Sequence, residues 1–246
     1  MKLARVRIRN YRAVRNLDLR LGPSLTVFHG DNAHGKTSIL TAIAVGLGSI
    51  PTLLPEVSGI SFLKTDRRRW QSVMEVKLTT TGGIEWRRTM GSRRKASVLK
   101  QLRKTIEKIV KADREGAPPL DLPIIAFYDT DRAVFEQPRR RRGFQTEFPR
   151  YAALEGALSA RTDFRDFFKW FYAKENEELR RQKEQRDFRL ADLDAVRRAI
   201  QSMVPGVSEP RIELNPLRFV VSVESASGRP ETLSFDQLSG GYRIVL

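Results

Sequence analysis

The sequence predicts an α/β fold in which a glycine-rich loop joins a buried strand to a helix. Residues 4–9 and 17–21 alternate apolar with polar or charged side chains, which is the period of a half-buried β-strand. Residues 24–28 form an almost wholly apolar run, which is typical of a strand buried on both faces. That run leads through a loop with two glycines into the helix-favouring residues 38–44.

The next part of the chain predicts a hairpin, a helix and a further strand. Residues 75–79 and 84–88 flank a turn with two glycines, which predicts a β-hairpin. Apolar residues recur at helical spacing over 98–109, and a Gly-Ala-Pro-Pro sequence ends that helix. Residues 124–128 contain another apolar run, which predicts a buried strand.

Residues 162–203 predict one long helix or two helices in tandem, with Thr162 as the N-cap. We expect the aromatic residues at its start to pack in the core, with a base-stacking surface as the alternative. The middle, 174–187, is nearly all charged, which predicts a helical arm that leaves the body of the protein and returns. Strands are predicted again at 211–214, 217–223 and 231–235.

Composition excludes several classes of protein. The chain has 246 residues, a formal net charge of +16, no cysteine and two histidines. A disulfide scaffold, a cysteine nucleophile and a zinc site built from Cys or His are therefore excluded. The longest apolar run, 39–54, is interrupted by glycines and a proline and is shorter than the roughly 20 residues of a membrane span. We expect a soluble, cytoplasmic protein that does not enter a membrane.

Residues 30–37 match the P-loop pattern, in which two glycines separated by four residues precede lysine and a hydroxyl residue. The backbone N–H groups of such a loop and the N-terminus of the following helix hold phosphate oxygens. We expect Lys36 to reach the β- and γ-phosphates and the Thr37 hydroxyl to bind Mg²⁺. The predicted phosphate-binding residues are Gly30, Asn32, Ala33, His34, Gly35, Lys36, Thr37 and Ser38.

A second motif, Leu-Ser-Gly-Gly-Tyr-Arg at 238–243, resembles the signature motif of ABC-type ATPases. A serine hydroxyl and glycine N–H groups at a helix N-terminus can hold a γ-phosphate. The resemblance implies that Ser239, Gly240 and Gly241 contact the nucleotide of a second subunit.

With Ile-Arg-Asn-Tyr-Arg at 8–12 shortly before the P-loop, the chain resembles the SMC, RecF and overcoming-lysogenization (OLD) ATPases. Residues 164–171 and 193–200 are similar to bacterial AAA-family ATPases of the virulence-associated, Septu and retron defence kinds. The resemblance implies an ABC-type head with a mixed central sheet and a helical insertion, which binds ATP and Mg²⁺. It also implies nucleotide contacts by Arg12 and Arg132, for which a surface ion pair is the alternative.

We divide this head into a P-loop lobe (1–90), a helical insertion (91–204) and strands that lead to the signature motif (205–246). The resemblance implies a homodimer or higher oligomer that sandwiches ATP and switches a partner effector, such as a nuclease, in anti-phage defence. A DNA-binding repair or recombination ATPase and a nucleotide-binding remnant without turnover are the alternatives.

Two departures from the family pattern affect these expectations. Ala33 replaces a loop glycine, which an alanine tolerates only if its φ is negative. The family's apolar strand that ends in Asp-Glu, the Walker B motif, is not found in the sequence. We therefore expect the front part of a longer ATPase, which holds no catalytic residue and binds nucleotide without hydrolysing it.

Runs of basic residues carry much of the positive charge and predict contacts with DNA or RNA phosphates. A solvated loop or a surface for an acidic partner subunit is the alternative. The runs are Arg67-Arg68-Arg69, Arg93-Arg94-Lys95 and the candidate nucleic-acid patch Arg139, Arg140, Arg141 and Arg142.

Overall fold

The computed structural model of the protein describes residues 1–91, 98–118, 120–128, 148, 150–159, 164–224 and 230–238. The chain divides into two compact units, Met1–Asp129 with Arg150–Ala160 and Thr130–Pro149 with Arg161–Leu246. Each unit has an antiparallel sheet with helices packed on it, so the α/β fold class is confirmed.

The first unit contains a four-stranded antiparallel sheet in the order β2-β1-β3-β4. Its strands are β1 (Leu3–Tyr11), β2 (Val14–Arg20), β3 (Met74–Thr80) and β4 (Glu85–Met90). Alternate residues of β1 and β3 are buried, and β3 and β4 form the predicted hairpin. The alternating pattern therefore identified these strands correctly.

Helix α1 (Lys36–Leu47) covers the apolar face of this sheet. Its Gly46 lies so close to β3 that a Cβ atom there would be 2.8 Å from Leu78 Cδ1. Helix α2 (Lys100–Arg114) completes the core with Leu102, Ile106 and Ile109. In the described part of the chain, the one segment apolar enough to cross a membrane is Lys36–Leu53, with a mean hydropathy of 1.3, and it contains this core helix.

The second unit places two helices on a three-stranded antiparallel sheet in the order β5-β6-β7. Phe164, Phe168 and Phe171 of the first helix are buried, and the Phe171 and Phe219 ring centroids lie 5.2 Å apart. The aromatic residues are core, as predicted. The elements are α3 (Phe164–Gln182), α4 (Ala191–Met203), β5 (Val207–Leu214), β6 (Leu217–Glu224) and β7 (Pro230–Ser234).

The charged segment 174–187, predicted to be a projecting arm, forms the second half of α3 and the start of the turn that leads to α4. The buried Glu178 of α3 accepts hydrogen bonds from Arg197 of α4 over 2.6 Å and from the Leu190 backbone over 2.9 Å. Charge in the sequence predicted solvent exposure, but a carboxylate can be buried when a guanidinium and an N–H group satisfy it. The predicted N-cap, Thr162, lies outside the described residues.

Two predicted strands are wrong. Residues 24–28 and 124–128 form no strand, and Leu25, Val27 and Ile124 are 78%, 73% and 95% exposed. An apolar run is buried as a central strand only if other strands pair with it, and no strand in the described ranges does so here. Both described sheets are antiparallel, so the expected mixed central sheet is not among them.

The helices and strands pack into two cores, and these cores do not coincide with the three predicted segments. Helix α2 packs with the first sheet, whereas α3 and α4 pack with the strands after 205. The division into a P-loop lobe, an insertion and signature strands stays a prediction.

Candidate nucleotide-binding site

The predicted P-loop forms the entry into α1 and has a backbone that requires glycine at two positions. Gly30 and Gly35 have φ values of 148° and 84°, which side chains rarely tolerate. Gly35 is the N-cap of α1, no side chain caps the helix there, and its first turn holds no acidic residue. In the described part of the chain, no side-chain cap occupies the first-turn N–H groups in place of an anion, and the first turn itself adds no negative charge against the positive end of the helix dipole.

Lys36 lies within the curl of this loop. Its ammonium donates hydrogen bonds of 2.6 Å to the carbonyl oxygens of both Gly30 and Asp31. The His34 Nδ1 atom lies 3.0 Å from the carbonyl oxygen of Asn32, which tightens the same turn. The lysine charge is thus held at the point where the loop backbone curls.

The residues present fit a nucleotide phosphate with Mg²⁺. Thr37 is exposed in the first turn of α1, next to Lys36, and offers the hydroxyl oxygen that the P-loop pattern assigns to the metal. Within the described ranges, no group of three Asp, Glu or His side chains could hold a metal ion. Thr37 would therefore bind the metal together with phosphate oxygens and water, as is usual for Mg²⁺.

Ala33 does not meet the expectation that an alanine at this loop position has a negative φ. Its φ is 65°, in the left-handed region, where the loop glycine that it replaces would carry no penalty. An L-residue in this conformation costs roughly 1–2 kcal/mol because its Cβ approaches the backbone. The loop keeps the glycine-type curl at the expense of strain at this residue.

Arg12, predicted to contact nucleotide, forms an ion pair in the structure. Its Nε lies 2.9 Å from the Asp66 carboxylate, which is almost fully buried. The alternative of an ion pair is therefore observed, and a nucleotide contact by Arg12 stays a prediction. The sequence analysis assigned no role to Asp66. Its position as a lone acidic residue directly before three arginines was the signal that could have indicated an ion pair.

The other predicted site residues lie largely outside the described part of the chain. This holds for Arg132, the patch Arg139–142, the run 93–95 and the signature residues Ser239, Gly240 and Gly241. The run Arg67–Arg69 is described and lies against the turn between β1 and β2.

The profile of the AAA domain family (AAA_23) matches residues 5–203, a range that includes most of β1, the predicted P-loop and both helices of the second unit. The chain belongs to this family. The predicted P-loop, residues 30–37, lies within the matched range, and the relation to ABC/SMC-like, RecF-related ATPases is confirmed.

Several curated proteins are similar to this AAA domain chain. The DNA replication and repair protein RecF of Chloroflexus aurantiacus is 32% identical over 151 residues, covering 55% of this chain and 36% of its own. RecF of Corynebacterium jeikeium is 46% identical over 43 residues, which are 18% of this chain and 10% of its own length. The Retron Ec83 probable ATPase of Escherichia coli is 25% identical over 195 residues, covering 70% of this chain and 34% of its own.

Among solved structures, that of the recombination mediator protein RecF with ATPγS in the RecFOR pathway is 14% identical to this AAA domain chain. It covers 86% of this chain and 59% of its own, with a TM-score of 0.33. The chain spans about a third or less of the length of the three curated relatives described above.

Proposed function

We propose that this chain is the nucleotide-binding part of an ABC/SMC-like ATPase that uses ATP and Mg²⁺ to switch a partner. The observation that carries the proposal is the loop before α1, where Lys36 lies in the curl and no side chain caps the helix. The backbone N–H groups of residues 33–38 bind phosphate oxygens, Lys36 neutralises the terminal phosphates, and Thr37 ligates the metal.

The family pattern supports a dimer or higher oligomer in which each P-loop faces the signature residues 239–241 of another subunit. The similarity to a retron ATPase favours a cytoplasmic defence system in which nucleotide state controls an effector, such as a nuclease. Arg12 and Arg132 are proposed as further nucleotide contacts.

Binding of a fluorescent ATP analogue, with and without Mg²⁺, tests the proposal. Lys36→Ala should weaken binding at least tenfold, because a charge-assisted contact to phosphate is lost. Thr37→Ala should chiefly remove the dependence on Mg²⁺. Lys108→Ala, on the exposed face of α2, is the matched control and should bind as the parent chain does. Equal affinity of the parent and the Lys36→Ala chain would reject the site.

Hydrolysis by this chain is a separate question. Its sequence contains no apolar run that ends in Asp-Glu, the pair that supplies a second metal ligand and a base for water. We propose that phosphate release by the chain equals that of its Lys36→Ala variant. Turnover that depends on Lys36 would show that other residues supply the base.

A DNA-binding repair or recombination ATPase is the second candidate function. The net charge of +16 and the similarity to DNA replication and repair proteins named RecF support it. DNA affinity that falls steeply as salt rises would support this candidate, and affinity independent of salt would reject it.

A further inference from the structure

Trp70 is presented to solvent in the loop before β3, at the end of the first sheet where β1 turns into β2. It is 88% exposed, which is unusual for so large an apolar side chain. The Arg69 guanidinium lies 5.3 Å from the centre of the Trp70 ring, a cation–π distance. An exposed indole with a cation beside it offers a flat surface on which another planar group can stack.

The loop that carries Trp70 is anchored on both sides. Arg67 forms an antiparallel bridge with Tyr11, and the Arg68 N–H donates to the Asn10 carbonyl over 2.9 Å. The Gln71 N–H then donates to the Arg68 carbonyl over 3.2 Å. The indole therefore projects from a fixed backbone, and little backbone entropy remains to be lost when it binds a partner.

Backbone strain is concentrated at the same end of the sheet. Asn10, Arg12 and Trp70 have φ values of 55°, 45° and 64°, all in the left-handed region. For a residue as bulky as tryptophan this conformation is rare and strained. Strain of this kind persists where a function requires the side chain to be held in place.

A polar cleft of about 380 Å³ adjoins the loop. Its charged lining residues are Arg9 and Arg15, and its remaining lining residues carry side-chain amides: Asn10, Asn16 and Gln71. At this end of the sheet, Arg12 forms an ion pair with Asp66. Glu75 lies opposite Arg9 on β3, but none of Arg9, Arg15 and Arg69 forms an ion pair with a described carboxylate, and amide groups that can hydrogen-bond lie beside Arg9 and Arg15.

We propose that this Arg-Trp surface, formed by Arg9, Arg15, Arg69, Trp70 and Gln71, binds single-stranded nucleic acid. An unpaired base stacks on Trp70 while the arginines hold neighbouring phosphates. A single strand is favoured over a duplex because only an unstacked base can offer its face to the indole. The proposal deepens the second candidate function and does not depend on nucleotide at the P-loop.

Fluorescence anisotropy with a labelled oligothymidylate of about 15 nucleotides, at several salt concentrations and without ATP, tests the site. Trp70→Ala should weaken binding about tenfold, and Trp70→Phe, which keeps a ring, should restore most of the affinity. Arg9→Gln with Arg15→Gln should reduce the slope of log K against log salt by about 1.4, or about 0.7 for each phosphate contact.

Three controls separate the outcomes. Arg103→Gln with Lys108→Gln removes the same charge from the exposed face of α2 and should leave the slope unchanged. Lys36→Ala should bind the oligonucleotide as the parent does, which keeps this test independent of the proposed ATP site. Circular dichroism should show unchanged folding of Trp70→Ala, because the side chain is exposed.

The proposal is overturned if Trp70→Ala binds as tightly as the parent chain. It is equally overturned if a duplex of the same length binds as well as the single strand and Trp70→Ala does not change the affinity for that duplex. Absence of oligonucleotide binding at low salt would also overturn the proposal, and an acidic protein would then be the partner to test.

Discussion

The Nε atom of Arg12 donates a hydrogen bond of 2.9 Å to the carboxylate of Asp66, whose side chain is only 3% exposed. The same carboxylate accepts a hydrogen bond from the Leu63 N–H over 2.9 Å. The Arg12 N–H donates in turn to the Asp66 carbonyl over 2.6 Å. This pair therefore fastens the turn before the basic run to the turn between β1 and β2.

Arg12→Ala should lower the free energy of unfolding, because it leaves the buried Asp66 carboxylate without its cation. We expect a loss of about 1–3 kcal/mol in urea unfolding. Asp66→Ala should also destabilise, and the double variant should lose less than the sum of the single losses. Strictly additive losses would show that the two side chains stabilise the fold independently.

Ala33→Gly should stabilise the chain and strengthen ATP binding, because glycine adopts a φ of 65° without strain. The gain should be about 1 kcal/mol, since the relieved strain exceeds the added chain entropy only modestly. Thermal unfolding and ATP titration measure it. Ala195→Gly, at an exposed position within α4, should instead destabilise by about 1 kcal/mol. If Ala33→Gly and Ala195→Gly both lower the stability, the backbone at Ala33 is not strained.

Gly46→Ala should destabilise the first unit, since the new methyl group would lie 2.8–2.9 Å from side-chain atoms of Leu78 and Val76. Overpacking of a filled core costs about 1–3 kcal/mol, which outweighs the helix propensity that alanine gains. Urea unfolding measures the loss. Gly82→Ala, in the hairpin turn with open space around it, should change stability little. If both variants unfold alike, α1 does not approach β3 this closely.

Glu175→Gln should make stability less dependent on pH. Burial raises the pKa of Glu175 despite hydrogen bonds from the Ile212 N–H and Arg197. The folded state therefore binds this proton more tightly than the unfolded chain, and stability falls as pH rises from 4.5 to the raised pKa.

Unfolding of the parent and Glu175→Gln chains at about pH 4 and about pH 7 measures this effect. The variant should gain relative to the parent at the higher pH, where the parent carries the partly buried charge. Glu184→Gln, at an exposed position, is the control and should keep the parent pH dependence. Identical pH slopes for the parent and Glu175→Gln would contradict the prediction.

Local patterns predicted the elements whose partners are close in the chain. The alternation in β1 and β2, the two glycines between β3 and β4, and the helical spacing in α2 each identified a real element. Such periods follow from the geometry of one strand or one helix, so a short stretch of sequence suffices to show them. The P-loop could be predicted for the same reason, since its spacing of glycines and lysine is local.

The sequence by itself determined the family and the order of most strands and helices, and it predicted residues 30–37 as the phosphate-binding loop. Only the tertiary structure decided that residues 24–28 are exposed, that Ala33 takes a positive φ and that Arg12 pairs with Asp66. These outcomes depend on which distant segments meet. Burial of an apolar run requires partner strands, and the partner of a charge is set by chain segments more than fifty residues away.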